Sequence, residues 1–178
     1  MNLPNKLTIV RVALIPFFLF FLLARFPNEQ AGRWLALAVF AAASVTDWLD
    51  GRIARKYNLI TDFGKFMDPL ADKLLVCAAL VAFVELGDLA AWVVIVIISR
   101  EFIITGLRAV AAAGGVVLAA GKSGKLKTVL QMLMIIWILP GLPGFYAGVV
   151  KYVLVYASVV VTVYSAIEYL WKNRQLLR

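Results

Sequence analysis

Long apolar stretches separated by short polar ones set the plan of this chain. The first runs from about Leu7 to Phe26, with Arg11 near its start and Pro16 inside, and a short polar piece, Asn2 to Lys6, precedes it. A second helix is predicted from near Trp34 through the Ala-rich Leu35 to Val45, continuing past Asp47. A third emerges from Pro69, carries Leu74 to Val84 and ends at Glu85-Leu86-Gly87-Asp88. The fourth covers Leu89 to about Ala113 and carries Arg100, Glu101 and Arg108, after which Gly114, Gly115 and Gly121 break the pattern. A basic cluster of Lys122, Lys125 and Lys127 leads into the fifth, Thr128 to Leu139, which closes on Pro140-Gly141-Leu142-Pro143-Gly144. The sixth takes about Tyr146 to Trp171, ahead of the basic tail Lys172, Arg174 and Arg178. Runs of this length predict an all-α polytopic membrane protein: six transmembrane helices behind a short N-terminal interfacial segment, forming a single domain over residues 1–178.

Composition sharpens the picture. Of 178 residues, 63% are hydrophobic and only 16% charged, with a mean hydropathy of +0.92, which excludes an ordinary soluble domain. The first run has the basic-then-apolar layout of a signal peptide, but Leu22-Leu23-Ala24-Arg25 offers no small-x-small cleavage site, so it reads as a retained span. Cys77 is the single cysteine and lies in an apolar run, so no disulfide is expected. Histidine is absent, and proton transfer therefore falls to Asp, Glu, Lys or Tyr.

Six spans place both termini on one side. That side collects Lys6, Arg11, Arg52, Arg55, Lys56, Lys65, Lys73, Arg100, Arg108, Lys122, Lys125, Lys127, Lys172, Arg174 and Arg178, whereas the other has Arg25, Arg33 and Lys151. The bias puts the termini in the cytoplasm. The net charge of +8 is thus a matter of topology and anionic lipid, and nucleic acid is not an expected partner.

The polar stretch from Asp47 to Asp72 breaks the apolar pattern most sharply. Five of the ten acidic residues fall in it, and the pairs Asp47/Asp50 and Asp68/Asp72 are spaced three and four apart, which puts each pair on one helical face. Asp47 comes 13 residues after Trp34 and Asp72 comes 13 before Glu85, so at about 1.5 Å per residue both lie about 20 Å from the far boundary. Carboxylates gathered at one level repel unless protons or cations stand between them. Hard divalent ions with oxygen ligands, two Mg²⁺ or Mn²⁺, answer that need, and a pair of them suits the clamping of a diphosphate. A solvated acidic linker between spans remains the plain alternative. Gly51 leaves room for a phosphate to approach the backbone, and Arg55 can fork onto phosphate oxygens. Gly51 and Ala54 also suit close helix packing, and Gly64 suits a turn.

Asp47, Asp50, Gly51, Ala54, Arg55, Gly64, Asp68 and Asp72 stand in the pattern D-x2-D-G-x2-A-R-x8-G-x3-D-x3-D. All eight positions match, and the chain resembles the CDP-alcohol phosphotransferases. The resemblance implies transfer of a phosphatidyl group from CDP-diacylglycerol to an alcohol, with release of CMP. It assigns Asp47, Asp50 and Asp68 to the metals, and Asp72 to the metal site and to the base that takes the acceptor's proton. Gly51, Ala54, Arg55 and Thr61 would line the CDP pocket. Pro4-Asn5-Lys6-Leu7-Thr8-x-x-Arg11 looks like the segment before the first span of these enzymes, with Asn5 and Thr8 touching the nucleotide or simply starting a helix. The resemblance suggests a homodimer, a chain this short that lacks a transit peptide suits a bacterial plasma membrane, and the charge bias puts the acidic stretch on the cytoplasmic side.

The acceptor has to be read elsewhere. Arg108, Lys125 and Lys127 gather positive charge suited to an anionic, phosphorylated alcohol, although lipid head groups would attract them too. Ser99 to Arg108, Gly124 to Thr128 with Gln131, and Asp68 to Lys73 resemble the family members that use sn-glycerol 3-phosphate and make phosphatidylglycerol phosphate. Family members that make cardiolipin or inositol-phosphate lipids share parts of these motifs. A divalent-cation transporter is the rival of another class, and it would need a path to the far face, where the third and fourth spans meet at Glu85 and Asp88. Glu101 directly follows Arg100, so the two point in different directions, and Glu101 is expected to find a basic partner on another helix.

Overall fold

A computed structural model describes residues 3–57, 62–116, 118 and 121–174, with side chains described except at 3–7, 47–57, 62–70 and 72. Six α-helices account for nearly all of it: α1 (Leu3–Leu23), α2 (Glu29–Tyr57), α3 (Asp62–Glu85), α4 (Ala91–Ala113), α5 (Lys122–Ile138) and α6 (Phe145–Lys172). No strand occurs among the described residues.

Several helix ends differ from those expected. The N-terminal piece is not a separate segment, since α1 begins at Leu3 and runs through it. Pro4 falls in the first turn, where the missing N–H has no helical partner to lose. α2 starts at Glu29 and not near Trp34, because Asn28 caps it: its Oδ1 accepts from the Ala31 N–H at 2.8 Å. Glu29 in the first turn suits the positive end of the helix dipole and pairs with Arg25 at 3.7 Å and Arg33 at 3.9 Å. α3 begins at Asp62, upstream of Pro69, so Asp68 and Asp72 share one helix. α5 begins at Lys122, which moves the basic cluster from a loop onto a helix.

Two compact units divide the chain, Met1–Leu86 with Leu139–Gly141, and Gly87–Ile138 with Leu142–Arg178. In the first, α1 packs on both α2 and α3. Phe18 and Leu22 of α1 and Ala36, Phe40 and Ala43 of α2 are buried, with the Phe18 and Phe40 rings 6.0 Å apart, and α3 contributes Ala71, Leu75, Ala79 and Phe83. Alanine recurs on these buried faces because small residues let helix backbones come close. At Gly32 of α2 the approach is closest: a Cβ there would stand 2.5 Å from the carbonyl oxygen of Phe21. The 139–141 turn is held to the start of α2, where Gln30 Nε2 donates to the Pro140 carbonyl at 2.9 Å and Gly141 lies against the Arg33 side chain.

In the second unit α6 packs on α4 and α5. The buried stripe of α5 is Lys127, Gln131, Met134, Ile135 and Ile138, and that of α6 is Val155, Ser158, Thr162, Ser165 and Tyr169, both at helical spacing. Gln131 Nε2 donates to Thr162 Oγ1 at 3.2 Å, and Trp137 Nε1 donates to the Ala147 carbonyl at 3.1 Å, so the two helices run antiparallel. α6 therefore buries hydroxyls and turns Val153, Tyr156, Val160 and Ile167 outward. Water would select the reverse arrangement.

Among the described residues α6 is the one helix long and apolar enough to cross a membrane by length and composition, and the part of α1 from Thr8 to Leu23 is a further apolar stretch. The six helices expected from the sequence are present in order, and one of them is a clear span by this test among the described residues. α4 carries Arg100, Glu101 and Arg108 within its apolar run, and α5 has 17 residues.

Candidate active site

The four aspartates divide between two helices of one unit. Asp47 and Asp50 lie on α2 and Asp68 and Asp72 on α3, and these helices touch. Gly51, Ala54 and Arg55 continue α2 beyond the first pair. The side chains of Asp47, Asp50, Asp68, Asp72, Ala54 and Arg55 lie outside the described residues, as do Thr61 altogether and the side chain of Asn5. What is described is the scaffold, and it keeps each carboxylate pair on a continuous helix. A helix fixes neighbours three or four residues apart about 5–6 Å from each other at Cβ, close enough for two carboxylates to share an ion.

Thr8 is fully buried on α1, on the inward stripe that continues through Arg11, Phe18 and Leu22. Arg11 is 1% exposed. Its burial, on a helix that packs on α2 and α3, is a feature the spacing argument missed. The signal was present, because Arg11 falls three residues after Thr8 and seven before Phe18, in phase with both.

The three cations expected to meet the acceptor have unlike surroundings. Arg108 and Lys125 are exposed. Lys127 is 3% exposed, and its Nζ donates to Glu101 Oε1, which makes Lys127 the partner on another helix that Glu101 was expected to find. The expectation that Arg100 and Glu101 point apart is corrected, since Arg100 Nη1 donates to the same Oε1 at 3.2 Å. Adjacent Cβ atoms do diverge on a helix, but the arginine stem is long enough to fold back over its neighbour. Gly124 lies beside this pair, with the position of a Cβ there 3.7 Å from Arg100 Nη2.

The first unit thus carries two carboxylate pairs on touching helices, and the second holds a largely buried cluster of two cations and one carboxylate. The sequence model for CDP-alcohol phosphatidyltransferases matches residues 1–164, and the chain belongs to that family. Its relatives are specific in name. It is 45% identical to the CDP-diacylglycerol–glycerol-3-phosphate 3-phosphatidyltransferase of Bacillus subtilis (strain 168), over 99% of this chain and 97% of that protein. It is 40% identical to the protein of the same name from Haemophilus influenzae, over 95% and 91%. A third, from Rickettsia bellii, is 37% identical over 94% and 93%.

Proposed function

We propose that this protein transfers the phosphatidyl group of CDP-diacylglycerol to sn-glycerol 3-phosphate, giving phosphatidylglycerol phosphate and CMP. The observation that carries the reading is the 45% identity to the Bacillus subtilis enzyme of that name across 99% of the chain, with every position of the eight-residue pattern filled. The pattern accounts for the donor, and the relatives' names account for the acceptor.

The donor set fits a pair of hard divalent ions: four carboxylates, no histidine and no competing thiolate at those positions. Asp47, Asp50, Asp68 and Asp72 would hold two Mg²⁺ or Mn²⁺, which when bound supply stabilisation of charge on the diphosphate. Gly51, Ala54, Arg55 and Thr61, with Asn5 and Thr8 from the start of the chain, bind the CDP moiety. Asp72 takes the proton of the acceptor hydroxyl as its oxygen bonds to the phosphorus that bears diacylglycerol, and the bond from that phosphorus to the CMP oxygen breaks. Arg108, Lys125 and Lys127 supply positive charge for an acceptor that is itself a phosphate monoester.

All six helices cross the bilayer in this reading, the chain forms one functional domain, and the termini and the site face the cytoplasm of a bacterial cell as part of a homodimer. The inverted character of α6, hydroxyls inward and valines outward, supports a lipid surround. Phe145 and Tyr146 at one end and Trp171 at the other are exposed, as expected of aromatic residues at the two interfaces. Purified protein given CDP-diacylglycerol, glycerol 3-phosphate and Mg²⁺ should release CMP and form the phosphorylated lipid. An acceptor panel of glycerol 3-phosphate, phosphatidylglycerol and inositol phosphate decides the substrate, and metal flux in proteoliposomes without CMP release would overturn the reading.

A further inference from the structure

Buried stripes on the three helices of the first unit run toward the aspartates. On α1 the stripe is Leu22, Phe18, Arg11 and Thr8; on α2 it is Ala36, Phe40 and Ala43; on α3 it is Phe83, Ala79 and Leu75. Continued at the same spacing of three and four, the α2 stripe reaches positions 47 and 50, and the α3 stripe reaches 72 and 68.

The level of Arg11 follows from the packing of α1 on α2. Phe21 approaches Gly32 and the Phe18 ring meets that of Phe40, so the two helices run antiparallel. From Phe18 back to Arg11, and from Phe40 on to position 47, the step is the same: seven residues, two turns and about 10 Å on an unchanged face. Arg11 and position 47 therefore share a level.

Arg11 is 1% exposed, and a guanidinium keeps its charge at any ordinary pH. A cation so placed needs a counter-charge. Of the acids in the first unit, Glu29 pairs with Arg25 and Arg33 at the start of α2, and Glu85 ends α3. Both stand at the helix ends far from the aspartates, and the unit's remaining acids all fall between positions 47 and 72. The aspartate pairs have the complementary need, because gathered carboxylates repel unless cations stand among them.

We propose that Arg11 is a positioning residue for the aspartate pairs: a resident cation that holds them together before the metal ions arrive and, once the ions are bound, limits how tightly they are held. This rests on the reading above in which Asp47, Asp50, Asp68 and Asp72 hold divalent ions, and adds to it the group that offsets their charge when the ions are absent. Arg11 acts through the carboxylates and not on the substrates. In the loaded site its charge repels the ions, so removing it tightens metal binding, whereas losing a residue that served packing alone would loosen the site.

The test is Mn²⁺ binding to the purified full chain in detergent, read from the EPR signal of the free ion, together with thermal unfolding in EDTA and in saturating Mn²⁺. Arg11→Met keeps a long apolar stem and removes the charge, and should bind Mn²⁺ about tenfold or more tightly than wild type. Arg11→Lys keeps the charge and should stay within about threefold of wild type. In EDTA Arg11→Met should melt below wild type, and saturating Mn²⁺ should close most of that gap, because the tighter site gains more from its ions. Unchanged or weaker Mn²⁺ binding by Arg11→Met overturns the proposal. Should that variant not fold, adding Asp47→Asn removes the carboxylate left without its cation and should restore a folded protein in EDTA; a double variant no more stable than Arg11→Met alone overturns the proposal as well. A wild type that binds no Mn²⁺ defeats the carboxylate–metal reading itself, whereas a wild type that binds it, with Arg11→Met binding it equally well, defeats only the role of Arg11.

Discussion

Gly32→Ala tests the packing that holds α1 against α2. A methyl at this position would stand 2.5 Å from the Phe21 carbonyl oxygen, 3.2 Å from that of Phe26 and 3.3 Å from the Arg25 carbonyl carbon. All three are backbone atoms, so no side chain can rotate away. Ordinary contact begins near 3.4 Å, which leaves about 0.9 Å to be taken up by moving one helix or bending the turn between them. Overpacking of this kind costs about 1–3 kcal/mol, and rigid neighbours on more than one side place it near the upper end. Alanine returns up to about 1 kcal/mol in helix propensity, so the clash wins by about 2 kcal/mol.

For a chain of this size that corresponds to a fall of about 4–8 °C in melting temperature. The assay is thermal unfolding of purified protein in detergent, followed by intrinsic fluorescence, with Gly148→Ala as control. Nothing lies within 4 Å of a Cβ at Gly148, and that variant should melt at or slightly above the wild-type temperature. Gly32 lies at the opposite end of α2 from Asp47 and Asp50, so Gly32→Ala should keep its turnover per folded molecule well below the melting point. A melting temperature within about 2 °C of wild type would refute the close approach of α1 and α2 as described.

Other outcomes follow from the same structure. Asp72→Asn should lower kcat by about 10²- to 10⁴-fold while retaining CDP-diacylglycerol binding, as expected for loss of a general base, and substantial residual turnover would reassign that role. EDTA should abolish CMP release and Mg²⁺ or Mn²⁺ should restore it, with activity in excess EDTA counting against a carboxylate-held metal pair. Val160→Arg places a charge near the middle of α6 on its exposed face; in a bilayer this costs about 2.5–3.5 kcal/mol of insertion and should deplete the protein from the membrane fraction, whereas an exposed position in water would tolerate it.

The apolar runs are enough to predict six helices in order, because long helices with few breakers leave little else for the chain to form. Their starts are harder to place. α2 begins at a cap, Asn28, that lies in a stretch too polar to look like part of a span, and α5 begins among lysines that resemble a loop. Hydropathy marks where a helix meets an apolar environment, whereas capping and helix propensity decide where it begins, and the two boundaries need not coincide. The aspartate pattern could be read because its meaning lies in spacing along single helices. The trio around Glu101 could not, because it depends on the register between α4 and α5.

Even so, a stricter reading of periodicity narrows the choice of partner for Glu101. α5 offers three lysines, at positions 122, 125 and 127. Extending the buried stripe of α5 backward from Ile138 through Ile135, Met134 and Gln131 reaches Lys127 at the next helical step, while Lys125 falls about 200° away around the axis. A lysine in phase with an apolar stripe must carry its ammonium into the packed interior, and there it needs a carboxylate. Among the described residues of the second unit the acids are Asp88, Glu101 and Glu168; Asp88 is met by Lys151 and Glu168 by Lys172. Glu101 is the one left for Lys127. Charge balance across helices thus selects the same pair that the geometry displays.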